Sequence, residues 1–393
     1  DEPKGKTGFA HLFEHLMFNG SENHPGEYFD PFEKAGVSDI NGTTWFDRTN
    51  YYETVPTTAL DMALWMESDR MGHLLGAIDQ KTLDEQRGVV QNEKRQGENQ
   101  PYGQLREIIS HTMYPEGHPY HHTTIGSMND LNAAKLEDVK TWFKTWYGPN
   151  NAVLVLAGDI DVATAREKVA KYFGDIPASP TMAQPKVDVA VLKANGRTEL
   201  EDKVPQVMVR RMWNVPQVGS RDTDMLDLFS DVLGGSASSR LDKRLVHQDK
   251  LVDSVGTGNW ASQLGGNFFV TAMVKQGVDP ARVEAIIDEE LNKLIAEGPT
   301  AEELARAKTS YESNFIRGIE RIGGFGGKAD VLASCAIYEN NPGCFRESLK
   351  AVASATPAQV RAAAAKWLNK PSHVFTVKPG ARKDLPEDPA GTP

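Results

Sequence analysis

The sequence predicts an α+β fold made of two homologous domains, each a mostly antiparallel sheet packed against helices, related by duplication. The 393 residues are enough for two or three domains. Segments with the helical spacing of apolar residues alternate with short strand-like runs. One pattern occurs twice, since Val139, Trp146 and Val153 are matched by Val360, Trp367 and Val374 at the same seven-residue intervals. Both stretches predict a helix, a turn and a strand, and this repeat indicates a duplicated domain.

The boundary between the domains is expected within residues 174–189, where Pro177, Pro180 and Pro185 stand among small residues. We therefore place a first domain at residues 1–180 and a homologous second domain at residues 190–393. The chain opens on a turn-like run directly before a helix, which suggests a trimmed start with strands lost or supplied from elsewhere. An exported bacterial protein would fit such a start, so we expect the periplasm or another extracytoplasmic space.

The order of the elements follows from apolar spacing and turn residues. Residues 9–18 carry apolar side chains at intervals of three and four and stop before Gly20, which predicts a helix. Residues 40–55 are rich in Thr, Trp, Phe and Tyr and predict a strand. The run 152–157 is short and wholly apolar, so we expect a buried strand there. By the same criteria, helices are predicted at residues 58–75, 82–96, 136–147, 162–173 and 280–297, and a strand at residues 268–274.

The composition argues against two kinds of partner. The net charge is −11, with acidic and basic residues interspersed, and this disfavours a nucleic-acid partner. No apolar run is long enough to span a bilayer. Only Cys335 and Cys344 occur. Two idle thiols are the favoured interpretation, with one bridge between them as the alternative, so cysteine usage leaves the compartment open.

A metal site is indicated by the run His11-Leu12-Phe13-Glu14-His15. Residues four apart on a helix lie within about 40° of each other around the axis, so His11 and His15 share one face. Two imidazoles at that spacing can bind one zinc ion. Glu14 is placed to act as general base on a catalytic water without being a ligand itself. A pair of structural histidines is the plain alternative, but a polar cluster on an otherwise apolar helix requires a partner.

Residues 8–18 resemble the active-site helix of the pitrilysin/insulinase family, the inverzincins. Residues 82–96 are similar to the family's second active-site helix, which carries the third zinc ligand. This resemblance implies Glu93 as the third ligand and one zinc ion (Zn2+) per chain. Glu85 and Glu98 are the rival carboxylates for that position.

The resemblance also implies supporting residues. Family members often carry an acid seven residues before the third ligand, which supports a zinc-binding histidine. Here that position is Gln86, flanked by Glu85. Gln86 can still accept a hydrogen bond from an imidazole, but it brings no charge.

A strand for substrate binding is implied as well. The stretch that begins at Asn41 resembles the strand beside the family's active site, which could pair with the backbone of a peptide substrate. Its candidate substrate-binding residues are Asn41, Thr43, Thr44 and Phe46.

The second half departs from part of the family pattern. In many relatives, the half opposite the zinc supplies an Arg and a Tyr that grip the substrate. The matching positions here are Val246 and Asp253. The resemblance therefore implies that this chain is the zinc-bearing half of a chamber. A complementary half, either a separate subunit or a missing part of the same polypeptide, would supply the Arg and the Tyr.

The glycine cluster of residues 323–327 lacks the spacing of a phosphate-binding loop, and we expect a turn between helices there.

These expectations combine into a zinc metalloendopeptidase that hydrolyses extended peptides inside a closed chamber. The alternative is a non-catalytic scaffold or binding half of a related assembly. A broken metal motif would be expected in such a protein, and here the motif is intact.

Overall fold

The computed structural model describes residues 2–37, 39–183, 185–383 and Leu385. The helices are α1 (Phe9–Met17), α2 (Asp30–Lys34), α3 (Leu60–Gly72), α4 (Gln80–Asn99), α5 (Leu105–Met113), α6 (Met128–Ala133), α7 (Leu136–Trp146), α8 (Val162–Phe173), α9 (Arg221–Gly234), α10 (Pro280–Glu297), α11 (Ala301–Ile319), α12 (Lys328–Glu339), α13 (Phe345–Ser354) and α14 (Pro357–Leu368). The strands are β1 (Asp39–Thr44), β2 (Thr49–Thr54), β3 (Gly196–Asp202), β4 (Val207–Val215), β5 (Val252–Ser262), β6 (Gly265–Val274) and β7 (His373–Pro379).

Two sheets are present within these residues. In the first half, β1 and β2 form an antiparallel hairpin. In the second half, five strands pair in the order β3-β7-β4-β6-β5, and only the β3–β7 pair is parallel. The predicted combination of helices with mostly antiparallel sheet is therefore confirmed. The hairpin also corrects the single strand expected at residues 40–55, because a turn at residues 45–48 divides it.

The protein has separate apolar cores and one core that both halves share. In the first half, α1 packs beside α4 and α7 through side chains such as Phe13, Val90 and Val139. In the second half, the helices α9, α10, α11 and α14 pack on the five-stranded sheet. A third cluster joins the halves, because Tyr120 of the first half packs with Phe375 of β7. The first half is thereby fixed against the second-half sheet.

The β1–β2 hairpin has one face toward each half. On one face, Gly42 lies so close to Phe18 that an added Cβ would sit 2.9 Å from the Phe18 ring. On the other face, the Phe325 ring from the second half lies 5.9 Å from the Tyr52 ring and 5.6 Å from the Arg48 guanidinium carbon. The hairpin is thus held between α1 and the turn that joins α11 to α12.

That turn contains the glycine cluster of residues 323–327 and lies between two helices, as the sequence predicted. Gly324 and Gly326 both have a φ of 70°, a left-handed conformation that glycine adopts without strain. The turn is also hydrogen-bonded internally, from Ala329 N to Ile322 O at 3.1 Å and from Gly327 N to Gly324 O at 3.1 Å. It therefore presents Phe325 in a defined position.

The expectation of a buried strand at residues 152–157 is wrong. This run belongs to no strand, and Val153 and Leu154 are 41% and 44% exposed. A strand requires a neighbouring backbone for its hydrogen bonds. The corresponding strand of the second half, β7, lies between β3 and β4, whereas the described part of the chain gives residues 152–157 no such neighbour. Apolar composition alone did not identify this difference.

Two smaller expectations are corrected as well. Cys335 and Cys344 are not idle thiols but form a disulfide, with their Cα atoms 5.4 Å apart. Helix α4 begins at Gln80 rather than at residue 82, because the Asp79 carboxylate caps it by accepting a hydrogen bond from Thr82 N at 2.8 Å. Among the residues described, no helix combines the length and apolar character needed to cross a membrane.

Candidate metal centre

Helix α1, which carries both histidines, is anchored at its first turn. Its N-terminal backbone has no capping side chain at Gly8, and the Glu2 carboxylate takes that role instead. Glu2 accepts hydrogen bonds from Gly8 N at 3.0 Å and from Ala10 N at 2.7 Å. A carboxylate at a helix N-terminus satisfies free N–H groups and interacts favourably with the helix dipole. This anchor fixes the start of the helix at Phe9, two residues before His11.

Gly8 is the residue that lets the chain enter α1. Its φ is 84°, and an added Cβ would lie 2.3 Å from the Ile125 carbonyl oxygen. Any larger residue would therefore clash with the backbone as well as adopt a strained conformation.

Helix α4 runs beside α1 and brings Glu93 to the two histidines. The Glu93 Oε2 atom is 3.3 Å from His15 Nε2 and 3.6 Å from His11 Nε2. One ligand atom from each of the three residues lies within 4.8 Å of the others. These are the three residues expected to bind the metal, and the structure brings them together.

The protonation states of this cluster favour cation binding. Burial lowers the pKa of His11 to about 4, so its imidazole is neutral near pH 7 and has a free lone pair. Hydrogen bonding to His15 lowers the pKa of Glu93, which keeps that carboxylate ionised. Two histidines and one glutamate are a usual ligand set for a catalytic zinc ion. The residues present therefore fit zinc.

Glu14 lies beside the histidines but projects into a more enclosed position. It is 8% exposed, although it carries an ionisable carboxyl group. Burial raises the pKa of Glu14, while a hydrogen bond from Thr44 and the neighbouring His15 act in the opposite direction. The Thr44 hydroxyl donates to Glu14 Oε2 over 2.5 Å. Glu14 is thus a buried carboxyl group held by one defined donor.

The two residues expected to support a zinc-binding histidine behave differently. Gln86 is on the same side of α4 as Glu93, but its side-chain nitrogen is 3.5 Å from Asn19 Oδ1 rather than near an imidazole. Glu85 is exposed and faces Lys81 at 3.7 Å, so the expected contact with a histidine is not formed. A step of one residue turns a helical side chain by about 100°, which directs Glu85 away from α1.

The rival ligand Glu98 is also directed elsewhere. Its carboxylate is 2.7 Å from Lys94 Nζ on the same helix. Of the three glutamates considered as the third metal ligand, the structure therefore places Glu93 alone against the two histidines.

The candidate substrate-binding residues of the hairpin divide between its two faces. The Thr43 hydroxyl donates to Asn50 Oδ1 at 2.6 Å and accepts from Arg48 at 2.6 Å, on the face away from α1. Asn41 lies on that same face, two residues earlier on the strand. Thr44 is on the opposite face, and its hydroxyl is engaged with Glu14 rather than free for a substrate.

Phe46 is a packing residue in this structure. Its ring centroid lies 4.8 Å from that of Tyr120, and it packs against the apolar cluster that both halves share. Its side chain therefore anchors the hairpin turn, and a contact between Phe46 and substrate stays a prediction.

Several residues near Glu14 were not found from the sequence. Thr49 lies opposite Thr44 in the hairpin, with their hydroxyl oxygens 3.0 Å apart. Tyr51 and Tyr147 form a second pair, with hydroxyl oxygens 3.1 Å apart. Their proximity depends on strand register, which the sequence does not state directly.

The second-half positions where the resemblance places an Arg and a Tyr are Val246 and Asp253. Val246 packs against the second-half core. Asp253 is exposed on β5 and accepts a hydrogen bond from Gln206 Nε2 at 3.2 Å.

Comparison with known proteins identifies the family of this chain. A family model described as insulinase (peptidase family M16) matches residues 1–126, and one described as the peptidase M16 inactive domain matches residues 133–311. The chain belongs to the M16, or insulinase, family of peptidases. The two models meet before the proline-rich stretch, so the domain division at residues 180–190 stays a prediction.

Individual relatives carry protease names. The zinc protease PqqE of Helicobacter pylori is 30% identical over 331 residues, which are 81% of this chain and 72% of that protein. A solved structure of a protease from Helicobacter pylori has a TM-score of 0.88 and 25% identity, covering 96% of this chain and 91% of that chain. The periplasmic protease PqqL from Escherichia coli has the same fold, with a TM-score of 0.76 and 18% identity. That match covers 97% of this chain but 44% of PqqL.

Proposed function

We propose that this chain is a zinc-dependent endopeptidase that hydrolyses peptide bonds of extended peptides. The observation that carries the proposal is the convergence of His11, His15 and Glu93 next to the buried carboxyl group of Glu14. A catalytic zinc site has three protein ligands and keeps a further position open for water. The complete set of residues, together with relatives named zinc proteases, supports an active peptidase over a non-catalytic scaffold.

The role of each residue follows from its chemistry. His11, His15 and Glu93 would hold one zinc ion per chain. Bound zinc supplies Lewis acidity, which lowers the pKa of water and polarises a peptide carbonyl. Glu14 accepts the proton of the attacking water and later donates it to the nitrogen of the leaving amine. The raised pKa of Glu14 suits a group that must both accept and return a proton near neutral pH.

The hairpin would align the substrate. An extended peptide can add to the edge of a sheet through backbone hydrogen bonds. Strand β1 pairs with β2 along one edge in the described structure, and its residue Thr44 contacts Glu14. A peptide along the other edge of β1 would pass beside the general base. Asn41 and Thr43 would then lie on the face next to alternate substrate side chains.

A complementary half would complete the chamber. This chain has Val246 and Asp253 where an Arg and a Tyr are expected. Its alignment with 44% of the longer PqqL supports a pairing of two halves. The partner would be a separate subunit or another part of the same polypeptide, and it would supply the Arg and the Tyr.

An extracytoplasmic location, with the bacterial periplasm as the first candidate, fits two observations. The disulfide between Cys335 and Cys344 is of a kind that persists in oxidising compartments. The structurally similar PqqL is described as periplasmic.

Zinc content and hydrolysis of a fluorogenic peptide, measured on the same preparations, test the function. Glu14→Gln should retain zinc and lose hydrolysis by about 10²–10⁴-fold, because it removes the proton acceptor alone. His11→Ala and Glu93→Ala should lose both zinc and hydrolysis. Glu137→Gln, which changes a glutamate exposed on α7, is the matched control and should change neither.

Two results would contradict the proposal. Hydrolysis by Glu14→Gln at the rate of the wild type would exclude Glu14 as the general base. Absence of bound zinc in the wild-type protein would favour the alternative of a non-catalytic scaffold. If the wild type binds zinc but is inactive alone, activity should appear when the complementary half is added.

A further inference from the structure

The general base has a hydrogen-bonding partner with no assigned role. One oxygen of the Glu14 carboxylate, Oε2, lies 2.5 Å from the Thr44 hydroxyl. Among the hydrogen bonds of the described residues, this is the contact that fixes the Glu14 side chain. A hydrogen bond to an ionised group is stronger than one between neutral groups. Thr44 therefore determines where the Glu14 carboxylate lies.

Thr44 itself has a second hydroxyl group beside it. Thr44 and Thr49 are directly opposite in the hairpin, and their hydroxyl oxygens are 3.0 Å apart. Two hydroxyl groups of the hairpin therefore stand in line behind the general base.

The direction of the hydrogen bonds follows from counting protons. Each hydroxyl has one hydrogen to donate and can accept from a neighbour. An ionised Glu14 can accept only, so Thr44 must donate to it. Thr44 then accepts from Thr49. The Thr44 donor is thereby oriented by its neighbour, and hydrogen bonds linked in this way strengthen one another.

We propose that Thr44, supported by Thr49, is the positioning residue of the general base. Thr44 keeps Oε2 of Glu14 engaged and leaves Oε1 as the oxygen that exchanges protons. The proton taken from the attacking water binds to Oε1 and leaves from the same oxygen to the amine nitrogen, so the two threonine hydroxyls donate no proton to the products. This inference rests on the proposed peptidase function and assigns a role that the zinc ligands do not explain.

Substitution at Thr44 tests the inference. Thr44→Val keeps the shape of the side chain and removes the hydroxyl, whereas Thr44→Ser keeps the hydroxyl. Since a hydrogen bond to a charged group contributes about 1.5–3 kcal/mol, Thr44→Val should lower kcat by roughly 10–100-fold. KM and zinc content should stay within about twofold of wild type, because neither the metal ligands nor the peptide-facing side of β1 changes. Thr44→Ser should recover most of the lost rate.

Crystal structures of the metal-free variants give a readout independent of activity. In Thr44→Val the Glu14 carboxylate should leave its position beside residue 44, and in Thr44→Ser it should stay there. Thr54→Val is the matched control, because Thr54 is at the other end of β2, opposite Asp39. It should change neither the rate nor the Glu14 position. If Thr44→Val fails to fold, Thr49→Val removes the hydroxyl beside Thr44 and should give a smaller loss of kcat.

The outcomes separate this inference from the proposed function. An unmoved Glu14 in metal-free Thr44→Val, or full kcat in that variant, would overturn the positioning role. Failure of Thr44→Ser to recover the rate would do the same. A wild type without hydrolysis would instead overturn the peptidase function, while the crystal structures would still decide whether Thr44 positions Glu14.

Discussion

Individual carboxyl groups of this protein differ strongly in how their surroundings change their pKa. In the second half, burial raises the pKa of Asp227 on α9 to about 7. Its partner is the neutral side chain of Asn259, whose Nδ2 donates at 2.8 Å, so no cation offsets the cost of ionisation. The neighbouring Asp224 raises the pKa of Asp227 further. Asp227 is therefore protonated over part of the neutral range, unlike an exposed aspartate.

Asp227→Asn should change how stability depends on pH. The folded-state pKa is raised, so the contribution of Asp227 to stability is complete below about pH 4, where the unfolded chain is also protonated. It is lost as the pH rises from about 4 through about 7. The Tm of the variant should therefore exceed that of the wild type at pH 8 but not at pH 4. Each kcal/mol gained in the free energy of unfolding should raise the Tm by roughly 2–4 °C.

The measurement is thermal unfolding at both pH values. Asp188→Asn, at an exposed position, is the control and should give the same Tm difference at pH 4 and pH 8. An equal effect of Asp227→Asn at the two pH values would show that burial of the charge is not the cause.

Residue roles were predictable from the sequence only where spacing fixes geometry. The distance of four positions placed His11 and His15 on one helical face, and the family resemblance supplied Glu93. For Thr44 the sequence indicates the strand but not the direction of the side chain, so its contact with Glu14 could not be predicted. A shift of one residue reverses the face of every side chain in a strand, so register decides such roles.

At the scale of elements, the metal centre depends on how α1 begins. The Glu2 carboxylate takes two backbone hydrogen bonds there, and His11 follows within the first turn. Burial raises the pKa of Glu2, while the charge of His122 lowers it. The sequence did not predict this cap, because Glu2 is six residues before Gly8 and outside the usual capping positions.

Glu2→Ala should destabilise the protein by about 1–2 kcal/mol, as the loss of a helix cap does. It should also weaken zinc binding, because the first turn of α1 carries His11. Thermal unfolding and zinc affinity by competition with a chelator check both effects. Glu22→Ala is the control, because Glu22 also accepts a backbone hydrogen bond, from Gly76 N at 2.9 Å, but does so at an exposed site. Unchanged zinc affinity in Glu2→Ala would contradict the coupling.

Helices were more predictable than strands in this protein. The bounds of α8 and α10 match the predictions, because their apolar spacing and N-terminal residues are local signals. Residues 152–157 had the composition of a strand but not its hydrogen-bonding neighbours. Whether a strand forms depends on other parts of the chain, and local sequence carries no such information.

At the scale of the whole molecule, the disulfide connects α12 to the start of α13. Cys335 and Cys344 are nine residues apart, so the bridge closes a short loop. Closure of a loop of this length contributes about 2–3 kcal/mol through the entropy of the unfolded chain. The double variant Cys335→Ser and Cys344→Ser should lower the free energy of unfolding by about that amount.

Thermal unfolding of the wild type with and without a reductant gives a second measurement. The reductant should lower the Tm of the wild type and leave that of the double variant unchanged. If complete reduction of the bridge left the Tm of the wild type unchanged, the disulfide would not stabilise the fold.

The position of the β1–β2 hairpin between α1 and the glycine-containing turn has a consequence for substrate choice under the proposed peptidase function. A hairpin packed on both faces would resist being displaced by a bulky folded polypeptide. An unfolded chain could pass lengthwise along it, whereas a compact protein would first have to open. Selection for unfolded substrates would then come from the packing of the hairpin, before any side chain is recognised.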